Sequence, residues 1–137
     1  MKFRKGQIST EYLIVVSFVV FLVLGVLGTA FFYASGARDA IKNAQIEKFA
    51  EKLISSAETV FFAGEPSKKR FIGYLPSGVN SIQLNDKDVI INYTTSSGDN
   101  FIAFRSDVVI EGAINPTSGI KKFELQAQLD KVVIVNS

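Results

Sequence analysis

The chain has 137 residues, of which 47% are hydrophobic and 20% are charged, and its formal net charge is +2. It contains neither Cys nor His, which excludes a disulfide framework and a thiolate metal site and removes the commonest general base and metal ligand. The small net charge argues against a dedicated nucleic-acid binder. We therefore expect no catalytic residues, no metal site and no cofactor.

A short basic segment opens the chain, and a long apolar segment follows it. Lys2, Arg4 and Lys5 come first, and from Tyr12 to Ala37 roughly 26 residues pass without a charge. At about 1.5 Å per helical residue, this segment is long enough to cross a hydrocarbon layer of about 30 Å. Apolar residues surround the whole circumference of such a helix. The pattern predicts a membrane helix.

The charges that flank this helix predict its orientation. The N-terminal side is purely basic, whereas Arg38, Asp39 and Lys42 on the other side have mixed sign, so the N-terminus is expected in the cytoplasm and the rest outside. A cleaved secretory signal peptide is an open alternative, because Ala34-Ser35-Gly36-Ala37 fits a small-residue cleavage site. Against it, the apolar run is longer than the usual 7 to 15 residues, and Glu11 lies where the run begins.

A short motif stands directly before the apolar run: Lys5-Gly6-Gln7-Ile8-Ser9-Thr10-Glu11-Tyr12-Leu13. It resembles the class III signal peptide of archaeal type IV pilins. The resemblance rests on the basic leader and on Gly6, Gln7, Ser9 and Glu11 at fixed offsets, and it covers about a tenth of the chain. One departure is Val15, where the family often has Leu.

The resemblance implies a processing step and an assembly. A prepilin peptidase would recognise Lys5, Gly6, Gln7, Ser9 and Glu11 and cut between Gly6 and Gln7, which removes residues 1–6 as a leader. Subtracting the three leader cations from +2 leaves a charge of −1. The resemblance further implies that the subunit leaves the cytoplasmic membrane with a pilus assembly ATPase and a membrane platform protein. It would then join copies of itself in an extracellular adhesion pilus.

Glu11 has two interpretations. With Ser9 and Thr10 as helix caps, it would fall in the first turn and interact favourably with the helix dipole by about 0.3 to 1 kcal/mol. The resemblance implies instead that the new amino group of Gln7 pairs with Glu11 of a neighbouring subunit and sets the register. A buried, unpaired carboxylate would cost several kcal/mol. Cyclisation of Gln7 would remove that amine.

Gly25 and Gly28, with Thr29, form a patch of small residues inside the apolar run, which belongs to a hydrophobic transmembrane or polymerisation helix expected over residues 7–37. They would allow close packing of helices or a local loosening of the helix. The alternative is that glycine is simply common in membrane helices.

Residues 38–64 continue the helix with an amphipathic pattern. The apolar residues at spacings of three and four are Ile46, Phe49, Ala50, Leu53, Ile54, Ala57, Val60 and Phe61. Gly64 followed by Glu65-Pro66 is a stop signal. The pattern predicts a helix from about Ser9 to Ala63 with one face that needs a cover.

Residues 65–137 read as a small antiparallel β head. Short segments rich in branched and aromatic residues alternate with turn sequences; they are Arg70–Leu75, Val79–Leu84, Asp88–Thr95, Phe101–Arg105, Val108–Ile114, Lys121–Gln128 and Val132–Val135. A head of about 75 residues is near the lower limit for a core of its own, so we expect it to lean on the amphipathic helix. The expected fold is α+β and pilin-like, and the turn at Leu75-Pro76-Ser77-Gly78-Val79 also resembles the start of the sheet domain in pilins.

Candidate sites in the head are few. Lys68-Lys69-Arg70 would contact anionic polymers or lipid headgroups, or guard an edge strand against aggregation. The segment Asn85-Asp86-Lys87-Asp88 has a faint metal-loop pattern, but it lacks the later residues of an EF-hand and fits a hairpin turn better. Asn92-Tyr93-Thr94 is an N-glycosylation sequon within a predicted strand. Asn115, which precedes Pro116, opens a turn.

Two functional hypotheses from different classes remain. The first is a structural pilus subunit that polymerises through its apolar helix, because these side chains cannot face water outside the bilayer. The second is a membrane-anchored, pilin-like minor subunit or surface binding module that forms no filament itself. An anchored enzyme ranks third, since the chain has no His, no Cys and no convergent pair of acids.

Overall fold

The computed structural model describes the backbone of residues 4–136 and the side chains of residues 9–136. A long helix, α1 (Arg4–Ala63), precedes seven strands: β1 (Lys68–Leu75), β2 (Val79–Asn85), β3 (Asp88–Thr95), β4 (Gly98–Arg105), β5 (Val109–Glu111), β6 (Gly119–Ala127) and β7 (Lys131–Val135). The chain divides into two compact units, with the boundary between Arg38 and Asp39. In the second unit, the C-terminal part of α1 packs against β-sheets. The predicted α+β architecture is confirmed.

The helix begins earlier than predicted. It starts at Arg4 rather than near Ser9, because Gly6 alone costs only about 1 kcal/mol in a helix and nothing else before Ser9 breaks it. Ser9 and Thr10 therefore lie inside the helix, and the prediction that they cap it is wrong. Glu11 is outside the first turn, where the dipole effect is largest. The dipole interpretation of Glu11 is wrong for the same reason.

The helix ends where the sequence predicts. Ala63 is its last residue, and Gly64 follows with φ of 81°, a left-handed conformation that glycine adopts at little cost. The amide of Gly64 donates to the Phe61 carbonyl at 3.0 Å, and the Ser67 amide donates to the Gly64 carbonyl at 2.9 Å. The first bond satisfies a carbonyl group that the helix end would otherwise leave unpaired, and the second begins the connection to β1.

The predicted amphipathic face is buried. Ile46, Phe49, Ala50, Leu53, Ala57 and Val60 belong to the core, and Ile54 and Phe61 pack against its border. All eight residues lie on the side of α1 that covers the sheets. The helix thus supplies a large share of the apolar surface that a head of this size needs.

The head contains two sheets rather than one. The strand order is β1-β6-β7-β5 in the four-stranded sheet and β2-β3-β4 in the three-stranded sheet. All seven predicted strands are present, with ends shifted by a few residues. The antiparallel prediction holds for four pairs, but β5 and β7 are parallel. The strands β5 and β6 run in opposite directions, and the segment 112–118 that joins them spans the position of β7. Since β7 is antiparallel to β6 and lies between the two, it is parallel to β5.

Three aromatic rings join the helix to the four-stranded sheet. The ring of Phe71 on β1 stacks on Phe123 of β6, with centroids 4.6 Å apart, and meets Phe49 of α1 edge-on at 5.4 Å. Gly73 lies beside these rings, and a Cβ there would come within 2.7 Å of Phe71 and 2.9 Å of Phe49. The close packing therefore favours glycine at this position. Phe49, Phe71 and Phe123 form what we call the aromatic clamp.

Candidate processing and assembly segment

The apolar half of α1 presents its side chains outward. All large hydrophobic residues from Tyr12 to Tyr33 are exposed, and even Val16, the least exposed of them, keeps 38% of its surface accessible. Within the described residues, this is the one helix long and apolar enough to cross a membrane. A length of 20 residues would suffice. The segment is compatible with a single-pass membrane anchor.

The hydroxyl groups in this segment bond to the helix itself. The Ser17 hydroxyl donates to the Leu13 carbonyl at 2.7 Å, that of Thr29 to Val26 at 2.9 Å, and that of Ser35 to Phe32 at 2.9 Å. Such bonds to a carbonyl three or four residues back satisfy a polar side chain without a neighbour. None of these three side chains therefore requires water or another protein.

Gly25 and Gly28 lie one turn apart, so they share a face of α1. A Cβ added at either position would meet no atom within 4 Å. No contact inside the described chain explains these glycines. Both interpretations from the sequence therefore persist: close approach of a second helix, or the ordinary frequency of glycine in membrane helices.

Glu11 stands at the start of the exposed apolar segment. Its carboxylate makes no hydrogen bond or ion pair with any group among the described side chains of residues 9–136. A carboxylate transferred from water to an apolar environment costs several kcal/mol unless it gains a partner. Any environment that buries this part of α1 must therefore supply a donor or a cation to Glu11.

The predicted cleavage position lies close to the first residue that the structure describes, Arg4. The backbone of Lys5, Gly6 and Gln7 belongs to the first turns of α1, while their side chains, and residues 1–3 of the leader, lie outside the described residues. Ser9 is exposed beside them. Cleavage between Gly6 and Gln7 and recognition by a peptidase thus stay predictions.

A polar cluster joins the start of the second unit to the β3–β4 turn. Lys42 donates to the Thr94 carbonyl at 2.8 Å, and Asp39 accepts hydrogen bonds from the hydroxyl and the amide of Ser96. The Ser96 hydroxyl is the main reason why the pKa of Asp39 lies below its ordinary value. Desolvation opposes it as the second-largest effect, and the Ser96 amide and the Lys42 ammonium, which contribute less, again lower the pKa. Gly78 packs against Lys42 with φ of 88°.

This cluster could not be predicted from the sequence, because nothing in the spacing of Asp39 and Lys42 indicates a distant turn as their partner. The same holds for Lys52, whose ammonium donates to the Ile72 carbonyl of β1 at 2.6 Å. Both cations looked like ordinary residues on a solvent-facing side of the helix.

The remaining candidate sites of the head take structural positions. Lys68, Lys69 and Arg70 are exposed on β1, an edge strand, as the interpretation of a guarded edge requires, and Lys68 lies 3.5 Å from Glu124. Asn85 pairs with Asp88 across a two-residue turn in which Asp86 has φ of 51°, so the hairpin prediction is confirmed.

Both asparagine sites are also held by hydrogen bonds. Asn92 lies on β3, the central strand of its sheet, and its amide nitrogen donates to the Ser81 hydroxyl at 2.8 Å. The Thr94 hydroxyl of the same sequon donates to Asp99 at 2.6 Å. The Asn115 side chain accepts from the Thr117 amide at 3.1 Å, a local bond of the kind that Asn makes in turns. Modification of Asn92 would have to compete with the hydrogen bond to Ser81.

Protein-family models, curated proteins and solved structures give no match to this chain.

Proposed function

We propose that this chain is a structural subunit of an archaeal type IV-like adhesion pilus. It is made as a membrane-inserted precursor with its N-terminus inside, cleaved before Gln7, and polymerised through its N-terminal helix. The observation that carries the proposal is an exposed apolar helix with a signal-peptide motif at its start, followed by a folded α+β unit. The motif supports the family, and the exposed surface supports polymerisation.

The energetics of leaving the membrane support a filament. Burying one large apolar side chain is worth about 1.5 to 3 kcal/mol relative to water, and the segment from Tyr12 to Tyr33 exposes many of them. Lipid and protein neighbours both provide that burial, so the net gain on assembly comes from close packing and from polar pairing. The assembly ATPase and the membrane platform protein supply the work of extraction in this proposal.

Glu11 provides the polar pairing. Cleavage before Gln7 creates an amino group one helical turn from Glu11 on each subunit. In the packed core, that amine on one chain and Glu11 on the next form an ion pair, and a subunit displaced along the axis would lose it. Since Glu11 has no partner among the described side chains, its carboxylate is available for this contact.

Processing is tested with Gly6→Phe. The bulky side chain should block the peptidase, so that intact mass spectrometry of membrane protein finds a precursor that retains its first six residues. Gly36→Phe, at a glycine with no neighbouring atom within 4 Å, is the matched control and should be cleaved normally. Normal cleavage of Gly6→Phe would count against the class III signal peptide and with it the proposed function.

Assembly is tested with Glu11→Ala in cells that process the subunit. Cleavage should proceed, while the yield of sheared filaments falls at least tenfold, as expected for the loss of one buried ion pair worth more than about 1.4 kcal/mol. Glu47→Ala, an exposed glutamate on the same helix, should leave the yield unchanged. Wild-type yield from Glu11→Ala, or a cyclised Gln7 in the mass of wild-type filaments, would refute the pairing.

The same experiment separates the alternative function. A membrane-anchored minor subunit or binding module would be cleaved and stay in the membrane fraction, and wild-type cells would release none of it on shearing.

A further inference from the structure

Strand β4 leaves one backbone edge unpaired. The Thr94 amide donates to the Gly78 carbonyl and the Ser106 amide donates to the Lys87 carbonyl, which fixes the direction of the backbone groups along β3 and β4. Thr94 bonds toward β2 and is opposite Asp99 in the β3–β4 register, so the two form a pair without hydrogen bonds between them. The backbone amide and carbonyl of Asp99 therefore point away from β3, and by alternation so do those of Phe101, Ala103 and Arg105. The amides and carbonyls of these four residues have no partner within the described chain.

The other strand edges of the head are protected. On β1, Lys52 occupies the Ile72 carbonyl, and β5 has only three residues. The outer edge of β2 is interrupted at both ends of the strand. Its register is irregular between Val79 and Ser81, and just after its last residue the Asp86 carbonyl accepts a hydrogen bond from the Ile110 amide of β5. Among the described strands, β4 is therefore the long edge that remains open, and open edges of this kind pair readily with another strand.

The side chains of β4 complement those of a second β4 in the opposite direction. Phe101 is 71% exposed and shares the outer face with Asp99, Ala103 and Arg105, while Ile102 and Phe104 pack toward the core. Asp99 and Arg105 lie equally far from Ile102 in sequence and have opposite charges. Neither forms an ion pair among the described residues, although Asp99 accepts one hydrogen bond from Thr94.

We propose that β4 pairs with β4 of a second copy of this chain, antiparallel, with Ile102 opposite Ile102 of the other copy. In this register Asp99 is opposite Arg105, and Phe101 is opposite Ala103, each twice. All four residues whose backbone groups face the open edge are then opposite another such residue. Each of these four pairs can exchange two hydrogen bonds, which gives about eight new hydrogen bonds in the antiparallel pattern. The two three-stranded sheets become one continuous sheet of six strands.

This pairing has two-fold symmetry, which limits where it can occur. Subunits within one polar filament all point the same way and are related by a screw rotation, so a two-fold contact cannot repeat along it. The pairing therefore joins heads that belong to different filaments, or to chains anchored in different places. It does not depend on polymerisation and would equally join two membrane-anchored copies.

The test uses the full chain in a large excess of detergent micelles, so that the apolar helices rarely share a micelle. Sedimentation should show a dimer for the wild type. Asp99→Arg and Arg105→Asp alone each place like charges opposite one another twice and should weaken dimerisation about tenfold. The double variant Asp99→Arg/Arg105→Asp restores the opposite charges and should restore the dimer. A monomeric wild type, unaffected single variants, or a double variant no better than the singles would each overturn the proposal.

Disulfide formation tests the register separately, because the chain has no Cys of its own. A mixture of Phe101→Cys and Ala103→Cys chains should form mixed disulfides faster than either chain alone, since directly opposite hydrogen-bonded residues have Cα atoms about 5.5 Å apart. Ile120→Cys, which is 67% exposed on the other sheet, is the control. Equal rates for the mixture, for each of the two variants alone and for the Ile120→Cys control would show that the copies meet through another surface and would refute the pairing.

Discussion

The aromatic clamp should account for much of the stability of the second unit, and Phe71 lies at its centre. Only 1% of the Phe71 side chain is exposed, and it is in contact with Phe123 on one side and Phe49 on the other. Phe71→Ala should cost about 3 to 5 kcal/mol. Phe71→Leu keeps most of the apolar contact but loses two aromatic pairs, each worth about 0.5 to 1.5 kcal/mol, so a loss of about 1 to 3 kcal/mol is expected.

The free energy of unfolding can be measured on full-length protein in detergent by denaturant titration, followed through the near-UV signal of Tyr93, which is buried. Phe62→Leu is the matched control, at a ring that is 74% exposed and meets Phe61 edge-on at 5.8 Å. It loses one exposed aromatic pair and should change stability by less than about 1 kcal/mol. A double-mutant cycle of Phe49→Leu and Phe71→Leu should give a coupling of about 0.5 to 1.5 kcal/mol. If Phe71→Leu costs no more than Phe62→Leu, or the coupling is zero, the clamp does not hold the helix on the sheet.

Three further predictions concern single positions. Gly73→Ala should destabilise the second unit by about 1 to 3 kcal/mol because its Cβ meets two rings of the clamp, whereas Gly36→Ala, with open space around it, should not; equal unfolding midpoints would contradict this. Because the pKa of Asp39 is lowered mainly by Ser96, its contribution is complete above the ordinary value of 3.8 and is lost as the pH falls through the lower folded-state pKa. Asp39→Asn should therefore flatten the fall in stability below about pH 4, and an unchanged acid titration of stability would contradict it. Glycosylation at Asn92, read by intact mass, should be lost in Asn92→Gln and increased in Ser81→Ala, which removes the competing hydrogen bond; no increase would show that the bond to Ser81 does not limit modification.

Most of the fold could be predicted because its signals are local. The apolar run, the stripe from Ile46 to Phe61 and the stop at Gly64 each follow from side-chain periodicity or glycine conformation. The seven strands also follow from alternation and turn residues. Their assembly into two sheets did not, and neither did the parallel β5–β7 pair, since both depend on contacts far apart in sequence. The strand Val109–Glu111 has only three residues, so its sequence does not indicate that β7 is its pairing partner.

The candidate segment was predictable in part for the same reason. A motif of nine residues and a hydrophobic span can be read directly, and the structure adds that the span is exposed and that Glu11 lacks a partner among the described side chains. The first helical turn could not be placed correctly, because the residues before Ser9 have no strong helix breaker. The open edge of β4 was not predictable either, since the position of a strand in its sheet decides which backbone groups stay unpaired.

The hydrogen bonds of the Ser17, Thr29 and Ser35 hydroxyl groups do not depend on what surrounds the apolar half of α1. Each is already bonded to a carbonyl of its own helix, so moving the helix out of lipid and into contact with other proteins exchanges no hydrogen bond at these positions. The reverse journey is equally free of such exchange. Under the proposed pilus function, a subunit would therefore leave the bilayer and return to it without a polar penalty at these three residues in either direction.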